Sequence, residues 1–342
     1  MPEIGLDVGS RTIKSLLLKK QRGKFVLENY LFYDLAEGSP DFPSVRGLNE
    51  TLKGLVETAG FAHYSVAGCL DSTDAAIIDL TLPKMPAADL VEAIKGEFEE
   101  RINVPLDEVS MSYVTARGES NTIMVKIFFS PLKKVSALAE MFTYAALKPS
   151  SIDVAMLANI AMLDCNGYLS STGFVAVLDL GEAKSTMALV QGKSLRLSNP
   201  IPTALGSVNS RIRAAQPMSY LQAEKLKTHY TRKHDEGESA AQTIVDGVYL
   251  ELLQNLQTTL EYFRVVTQDQ PIEKILILGG GAQYSFIVST IEMACGVEAV
   301  AVNPFRNIEI LSRQDSGHEF IGPIAPHMGT AVGLALRKLN GH

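Results

Sequence analysis

Two aspartates in this chain each stand two residues before a glycine, at the end of an apolar run. Asp7 precedes Gly9, and Asp179 precedes Gly181. A turn of small residues lets backbone N–H groups face a phosphate. A carboxylate beside it can hold Mg²⁺ through water, because Mg²⁺ prefers oxygen ligands and keeps much of its hydration shell. We therefore take Asp7 and Asp179 as water-mediated ligands of Mg²⁺.

Further residues suit the same chemistry. Lys14 follows the first turn closely enough to reach a phosphate, and Gly279–Gly281 follows a later apolar run. A glycine-rich turn after a strand lets a flat base or a ribose approach the backbone. One Asp-x-Gly turn is a common feature, but two matched turns and a glycine triplet favour a nucleotide site over ordinary turns.

Each Asp-x-Gly turn lies in a pattern of strand, tight turn, strand, polar turn and strand, which is typical of a β-meander. The first copy covers residues 4–32 and the second covers residues 174–197. The copies lie about half a chain apart, so the pattern indicates an internal duplication. Two similar domains are predicted, with the two turns facing a cleft between them.

Helical and extended segments fill the remainder of each half. Apolar residues at helical spacing predict seven helices, in residues 48–58, 90–101, 132–146, 221–227, 243–266, 285–294 and 326–339. Residues 75–83 and 123–129 are predicted to be extended. The charged stretch 232–241 is predicted to be an exposed loop.

Composition limits the class of protein. The chain has 342 residues, 46% hydrophobic, and a net charge of −7. The length fits two domains, and the negative charge argues against a nucleic-acid-binding surface. Three widely spaced cysteines without a CxxC pair favour reduced thiols. No leader peptide or membrane-length apolar run is visible, so we expect a cytoplasmic protein that reaches a membrane only through a partner.

Three segments resemble the nucleotide motifs of the actin, sugar kinase and heat-shock chaperone superfamily. GLDVGSRTIKSLLLKK is similar to the first phosphate motif, VLDLGEAKSTMALV to the second, and ILILGGGAQYS to the adenosine motif. Glu224 and Lys227 match the superfamily's E-x-x-K helix. Within the superfamily, residues 75–112 and the segments VEAVAVNPF and MGTAVGLALR resemble the PilM family of type IV pilus assembly proteins, and the similarity covers nearly the whole chain.

The resemblance implies an α/β fold of two actin-like (ribonuclease H-like) domains with a nucleotide cleft between them. We expect a first domain at 1–170 with an α/β insert at 34–118. A second domain at 171–342 would carry a helical subdomain at 206–272. The implied function is that of an ATP- and Mg²⁺-binding component of the pilus assembly platform, held at the inner membrane by the cytoplasmic N-terminal peptide of PilN.

The motifs also imply which residues bind the nucleotide. They are Asp7, Gly9, Ser10, Arg11, Lys14, Asp179, Gly181, Lys184, Ser185, Thr186, Glu224, Lys227, Gly279, Gly280, Gly281 and Tyr284. SSIDVAMLANIAML resembles the start of the superfamily's first connecting helix, and Asp153 in this segment is the candidate that would orient a catalytic water. Glu182 stands in the second phosphate loop, where relatives often carry a small residue. Because a carboxylate repels phosphate, we expect ATP binding with weak or no hydrolysis.

The partner peptide is expected between the insert and the rest of the first domain. An extended, proline-bounded run beside an amphipathic helix offers free backbone groups and an apolar wall, which suit an extended peptide. The residues predicted to contact it are Ile77, Ile78, Leu80, Leu90 and Ile94. The alternative is that the chain's own loops cover this edge.

Three other functions remain open at this point. The cytoplasmic part of a type II secretion platform protein (GspL-like) shares the fold, and a small-molecule kinase or a polymerising filament can be built on the same scaffold. Fold alone does not choose among them. The segments that resemble the PilM family favour the pilus function.

Overall fold

The computed structural model describes residues 3–38, 45–232, 239–310 and 321–339. Within these ranges the chain forms fourteen strands in three sheets, together with ten α-helices. The strands are β1 Glu3–Val8, β2 Thr12–Gln21, β3 Lys24–Asp34, β4 Ser65–Leu70, β5 Ala76–Pro83, β6 Val109–Arg117, β7 Thr122–Pro131, β8 Lys148–Val154, β9 Phe174–Leu180, β10 Ser185–Gln191, β11 Ser194–Ile201, β12 Ile272–Leu278, β13 Ala299–Ala301 and β14 Ile308–Ile310. The helices are α1 Leu35–Gly38, α2 Val45–Thr58, α3 Ala87–Ile102, α4 Leu132–Tyr144, α5 Ala155–Cys165, α6 Gly206–Ala215, α7 Tyr220–Arg232, α8 Ala240–Val266, α9 Ser285–Cys295 and α10 Gly329–Leu339.

The first sheet has six strands in the order β14, β3, β2, β1, β4, β8. β1, β2 and β3 are antiparallel neighbours and form the predicted meander, and β4 pairs with β1 in parallel. Alternate side chains point to opposite faces of a strand. Ile13 and Leu17 therefore pack with α2 and α4, whereas Leu16 and Leu18 pack with α5 and α10.

The second sheet repeats this arrangement in the order β11, β10, β9, β12, β13. β9, β10 and β11 form the second predicted meander, and β12 pairs with β9 in parallel. α6, α7, α8 and α9 cover one face of this sheet. α5 and α10 cover the other face, so both helices lie between the two sheets.

The end of the chain returns to the first domain. β14 pairs with β3, and α10 packs against α5, β1 and β2. A Cβ atom on Gly5 would lie 2.1 Å from the carbonyl oxygen of Ala331, and one on Gly333 would lie 1.8 Å from that of Ala158. Small residues thus allow the close approach expected of this helix. These elements were assigned to the second domain, but β14 joins the first sheet, and α10 packs between the two sheets.

The insert is a separate small layer. β5, β7 and β6 form the third sheet, and α3 covers one face of it. The expected boundaries, 34–118, differ from this arrangement in two ways. They enclose β4, which belongs to the first sheet, and they leave out β7, which is the central strand of the third. Both differences arise from strand pairing over long sequence separations, which local patterns do not report.

Most predicted helices are present with shifted ends, because helix termini depend on capping contacts. α8 begins after Ser239, whose hydroxyl accepts a hydrogen bond from Gln242 N, and α9 ends at Gly296, which has φ +63°. Residues 233–238 of the predicted loop lie outside the described ranges. Within the described ranges, no helix has both the length and the apolar composition that crossing a membrane requires.

Candidate functional site

A cavity of about 280 Å³ lies where the two meanders face each other. Most of the residues predicted to bind nucleotide line it: Asp7, Gly9, Ser10, Arg11, Lys14, Asp179, Gly181, Lys184, Glu224, Lys227, Gly279, Gly280 and Tyr284. These residues are spread over more than 270 positions of the sequence. The fold therefore brings the two Asp-x-Gly turns, the glycine triplet and the E-x-x-K helix to one cleft.

Four of the residues predicted for nucleotide binding or catalysis do not line this cavity. Ser185 and Thr186 begin β10, are buried and do not line the cavity. A Cβ atom on Gly281 would lie 2.3 Å from Leu180 Cδ2, so this glycine permits the turn to pack on β9. The fourth residue is Asp153.

Asp153 does not line the cavity. One of its carboxylate oxygens lies 2.7 Å from Arg337 Nη1 on α10, and the other accepts a hydrogen bond from Val154 N. Burial raises the pKa of Asp153, while Arg337 lowers it. This placement gives no geometric support to the water-orienting role, because the carboxylate is engaged by α10, an element remote in sequence.

The first aspartate pairs with a lysine of its own hairpin. Asp7 and Lys14 are directly opposite each other in the β1–β2 register, and Lys14 Nζ lies 2.6 Å from Asp7 Oδ2. Lys14 is almost fully buried. A buried ammonium requires a partner, and here the partner is the carboxylate proposed for the metal.

The second aspartate occupies the same place in the second meander. Asp179 is opposite Thr186 in the β9–β10 register, and Asn159 of α5 donates a hydrogen bond of 3.2 Å to it. Burial, together with the nearby charge of Asp7, raises the pKa of Asp179 to about 6. Two carboxylates that repel each other in a cleft are a suitable oxygen donor pair for a divalent cation.

The glycine triplet is required by this close packing. Gly279 has φ +75°, and a Cβ atom there would lie 2.7 Å from both Asp179 Oδ1 and the carbonyl oxygen of Leu180. A side chain at this position would clash with the carboxylate and would need a left-handed backbone. Gly279 thus holds the β12 turn directly against the second aspartate.

Glu182 is held in the wall of the cleft. Its carboxylate accepts hydrogen bonds from Tyr220 and from Asn209 Nδ2 at 3.1 Å, and it lies 3.1 Å from Lys227 Nζ. Burial, together with the Glu182 charge, raises the pKa of Tyr220 far above its usual range. The carboxylate that sequence comparison marks as unusual is therefore neutralised by donors of α6 and α7.

An ion pair crosses the cleft next to Glu182. Arg11 Nη1 of the first domain lies 2.6 Å from Glu224 Oε1 on α7, and Arg11 also pairs with Asp34 at 2.8 Å. Lys227 lies 2.7 Å from the other oxygen of Glu224. Although burial opposes ionisation, Lys227 and Arg11 lower the pKa of Glu224 to about 2.

A second ion pair crosses the cleft at the second phosphate turn. Lys184 Nζ lies 3.3 Å from Asp74 Oδ1 and 3.6 Å from Asp71 Oδ1, both on the first domain. Asp71 also accepts hydrogen bonds from the backbone N and the hydroxyl of Thr73. Asp71 lines the cavity but was not predicted; its only sequence signal is its position directly after the buried strand β4.

The charges of the cavity nearly cancel. Five carboxylates (Asp7, Asp71, Asp179, Glu182 and Glu224) and four cations (Arg11, Lys14, Lys184 and Lys227) line it. Each of these cations lies within ion-pair distance of a carboxylate. A polyanion can therefore bind only if cations exchange partners or if a divalent cation accompanies it.

An adjoining chamber of about 550 Å³ opens beyond the Arg11–Glu224 pair. Tyr284, Gln283 and His327 line both cavities, and Phe32 lines the outer one. Burial and the charges of Lys14 and Arg11 lower the pKa of His327 to about 4, so its ring is neutral at pH 7. Phe32, Tyr284 and the neutral His327 ring suit an uncharged ring, although charged residues also line this chamber: Arg11, Asp34, Glu224, Lys225 and Arg232.

A groove of about 430 Å³ lies on the far side of the insert. The face of the third sheet opposite α3 forms one wall, and the β10–β11 turn with parts of α5 and α10 forms the other. Met124 and Val114 on this open face are 48% and 58% exposed. Lys126 on β7 pairs with Asp79 on β5 in the middle of the face.

The residues predicted to contact a partner peptide are mostly on the other face. Leu80, Leu90 and Ile94 are buried in the core between α3 and the sheet, and Ile78 packs against it. Ile77 packs against the core between the two main sheets. Leu80, Leu90 and Ile94 thus form the interior of the insert, because the amphipathic helix covers the strand that was expected to be free.

Two actin-like domains with paired hairpins facing a common cleft define a protein of the actin-like ATPase fold. The family profile described as type IV pilus assembly protein PilM matches residues 5–339, and the chain belongs to this family. A solved PilM-PilN type IV pilus biogenesis complex has a chain 23% identical to this one, with 98% of each chain covered and a TM-score of 0.82.

Two more distant solved structures share the fold. The ethanolamine utilization protein EutJ from Carboxydothermus hydrogenoformans is 13% identical, covering 98% of this chain and 89% of its own, with a TM-score of 0.55. An archaeal actin homolog is 11% identical over the whole of both chains, with a TM-score of 0.50. Both have low identity, so they support the fold alone.

Proposed function

We propose that this protein is a Mg²⁺·ATP-binding scaffold of the type IV pilus assembly platform, which binds the cytoplasmic tail of PilN. The observation that carries the nucleotide part is the cavity between the two Asp-x-Gly turns. Membership of the PilM family and the likeness to a PilM-PilN complex support the partner. Because PilN would provide the attachment, the protein would act in the cytoplasm at the inner membrane.

The cavity has the chemistry that Mg²⁺·ATP requires. Asp7 and Asp179 would hold the cation through its water molecules, as the repulsion between the two carboxylates favours. The turns at Gly9 and Gly181 offer backbone N–H groups to phosphates. The E-x-x-K residues, Glu224 and Lys227, would contact the ribose. The adjoining chamber, lined by Phe32, Tyr284 and His327, would take the base. When bound, the cation supplies the charge that offsets the triphosphate.

Titration calorimetry of aspartate variants tests the nucleotide site. Asp7→Ala and Asp179→Ala should each weaken binding of Mg²⁺·ATP by about 1–3 kcal/mol, because each removes an acceptor for the metal's water. Asp89→Ala, at an exposed position of α3, is the matched control. Unchanged affinity in both cleft variants would overturn the assignment.

The groove beside the insert is the proposed site for the PilN tail. It is open, and the insert sheet carries apolar and small side chains around the Asp79–Lys126 pair, while Lys193, Arg196 and Arg337 line the opposite wall. An extended peptide can lie across the sheet with alternate side chains directed into this surface. The peptide was expected between the insert and the rest of the first domain. This groove instead lies on the opposite face of the insert sheet, and its other wall includes the β10–β11 turn of the second domain.

A small-molecule kinase on the same scaffold would need a carboxylate that faces a second substrate in the cleft. Asp71 lines the cavity, but its hydrogen bonds from Thr73 and its proximity to Lys184 already engage one oxygen. A screen of sugars and other alcohols for ATP-dependent phosphorylation distinguishes the two functions. The scaffold function predicts no product with any of them.

A further inference from the structure

The cleft and the groove are joined by one strand and one short turn. β10 begins directly after Lys184, which lines the cleft, and ends two residues before Lys193, which lines the groove. On the first domain, the 3-10 turn Ser72–Asp74 connects β4 of the main sheet to β5 of the insert. β10 therefore runs from the cleft to the groove.

The 3-10 turn links the insert to the main sheet of the first domain, and we call Ser72–Asp74 the joint of the insert. The Ser130 hydroxyl, at the end of β7, donates a hydrogen bond of 2.7 Å to the carbonyl oxygen of Asp74, and Lys134 on α4 pairs with the Asp74 carboxylate. Ser72 Oγ accepts a hydrogen bond of 2.9 Å from Met156 N at the start of α5. Asp74 thus connects the chain segments that enter and leave the insert.

Lys184 attaches the second domain to this joint. Its ammonium is shared between Asp74 and Asp71. The same side chain lines the cavity proposed for the triphosphate, and a phosphate oxygen, like a carboxylate oxygen, accepts a charge-assisted hydrogen bond from an ammonium. The ion pair and the phosphate therefore compete for one lysine.

We propose that Lys184 is a positioning residue that couples nucleotide binding to the partner groove. This inference rests on the proposed function. With the cleft empty, the Lys184–Asp74 pair holds the insert against the β10–β11 hairpin and sets the width of the groove. A bound triphosphate takes Lys184, releases the insert and weakens peptide binding. By linkage, the peptide weakens nucleotide binding by the same factor.

Two variants distinguish this coupling from a general loss of structure. Lys184→Met removes the cation, so it should weaken both Mg²⁺·ATP binding and peptide binding. Asp74→Asn frees Lys184 for phosphate, so it should tighten Mg²⁺·ATP binding while weakening peptide binding. A loss of structure would not change the two ligands' affinities in opposite directions. Lys95→Met is the matched control, because Lys95 and Lys184 both have 43% exposed, ion-paired side chains.

The measurement uses the full chain and a fluorescent synthetic peptide of the PilN cytoplasmic N-terminus, read by anisotropy with and without saturating Mg²⁺·ATP. In the unaltered protein and in Lys95→Met, nucleotide should weaken peptide binding about fivefold or more. In Lys184→Met and Asp74→Asn, this shift should disappear. A shift that persists in both variants, or no shift in the unaltered protein, overturns the inference.

A second readout needs no partner. Mg²⁺·ATP should accelerate hydrogen exchange of the 72–74 backbone amides in the unaltered protein but not in Asp74→Asn. Lys134→Met keeps the Lys184–Asp74 pair, so it should keep the acceleration. If nucleotide binds but exchange is unchanged, the coupling is wrong while the nucleotide site stands. If the peptide alone fails to bind, the proposed partner is wrong and the exchange data still decide the coupling.

Discussion

At the scale of single residues, the carboxylates of the cleft differ in how many hydrogen-bond and ion-pair partners the protein gives them. Glu224 and Glu182 each have several cationic or hydrogen-bonding partners, whereas Asp179 has only the amide of Asn159 among the contacts described above. The pKa of Glu224 is accordingly lowered and that of Asp179 is raised. The least satisfied carboxylate, Asp179, is one of the two whose spacing suggests a metal.

The raised pKa of Asp179 predicts a pH-dependent stability. A folded pKa of about 6, against an ordinary 3.8, means that the folded state favours the protonated form. This contribution to stability is complete below about pH 4 and is lost as pH rises through about 6. Asp179→Asn cannot ionise, so without metal it should be about 2–3 kcal/mol more stable than the unaltered protein above pH 7.

Chemical denaturation of both proteins from pH 4 to pH 8, with chelator present, measures this difference. The gap should be small at pH 4 and reach its full size above pH 7. Asp89→Asn, on the exposed side of α3, should follow the unaltered protein. Curves for Asp179→Asn that run parallel to those of the unaltered protein would show that Asp179 ionises normally in the fold.

At the scale of elements, each strand of the insert contributes side chains to two surfaces, the core under α3 and the open groove. The residues of β5 and β7 alternate between the core under α3 and the open face. Ile94 on α3 is completely buried in that core, so a charge introduced on the α3 side would damage the insert itself. Only the open face offers positions where a substitution can affect a partner without affecting folding.

Met124→Glu is predicted to disrupt binding of the PilN peptide. The substitution places a carboxylate in an apolar part of the groove, where desolvating it opposes binding. Anisotropy titration should show at least a tenfold loss of affinity, which corresponds to about 1.4 kcal/mol. The melting temperature should stay within a few degrees, because Met124 is 48% exposed.

Met293→Glu is the matched control, since this methionine on α9 is 76% exposed and lies away from the groove. It should bind the peptide as the unaltered protein does. Ile94→Ala serves as the opposite comparison: removal of a fully buried side chain should cost about 2–5 kcal/mol of folding stability. Wild-type peptide affinity in Met124→Glu would place the partner elsewhere.

At the scale of the whole molecule, the two domains are held across the cleft by ion pairs that a nucleotide would have to rearrange. Arg11 reaches Glu224 on one side, and Lys184 reaches Asp74 on the other. Because these cations already have partners, little unpaired positive charge remains for a transition state. Such a cleft is better suited to binding a nucleotide than to cleaving it.

Hydrolysis of ATP is therefore predicted to be slow or absent. Phosphoryl transfer needs an oriented water and concentrated positive charge. Asp153 is turned to Arg337, and Glu182 holds the positive charge of Lys227. Phosphate release under saturating Mg²⁺·ATP should stay below about 1 per second, the low end of ordinary enzymes. A faster rate that Asp179→Ala abolishes would contradict this prediction.

Much of the fold and of the cleft follows from local sequence. The meanders follow from alternating apolar side chains within residues 4–32 and 174–197. Asp7, Asp179 and the glycine triplet are each marked by the need for small residues in a tight turn. The duplication then implies that two such turns face each other. These features could be read without coordinates because the physical cause and the signal lie in the same short segment.

Only the tertiary structure decided features that depend on distant partners. Asp153 is neutralised by Arg337, Glu182 by three donors from α6 and α7, and Lys184 by the joint of the insert. The packing of α3 decided which face of β5 is buried. The pairing of β4 with the first sheet and of β7 with the third decided where the insert begins and ends. A charge or an apolar face has no fixed role until packing supplies its neighbour, and those neighbours come from far along the chain.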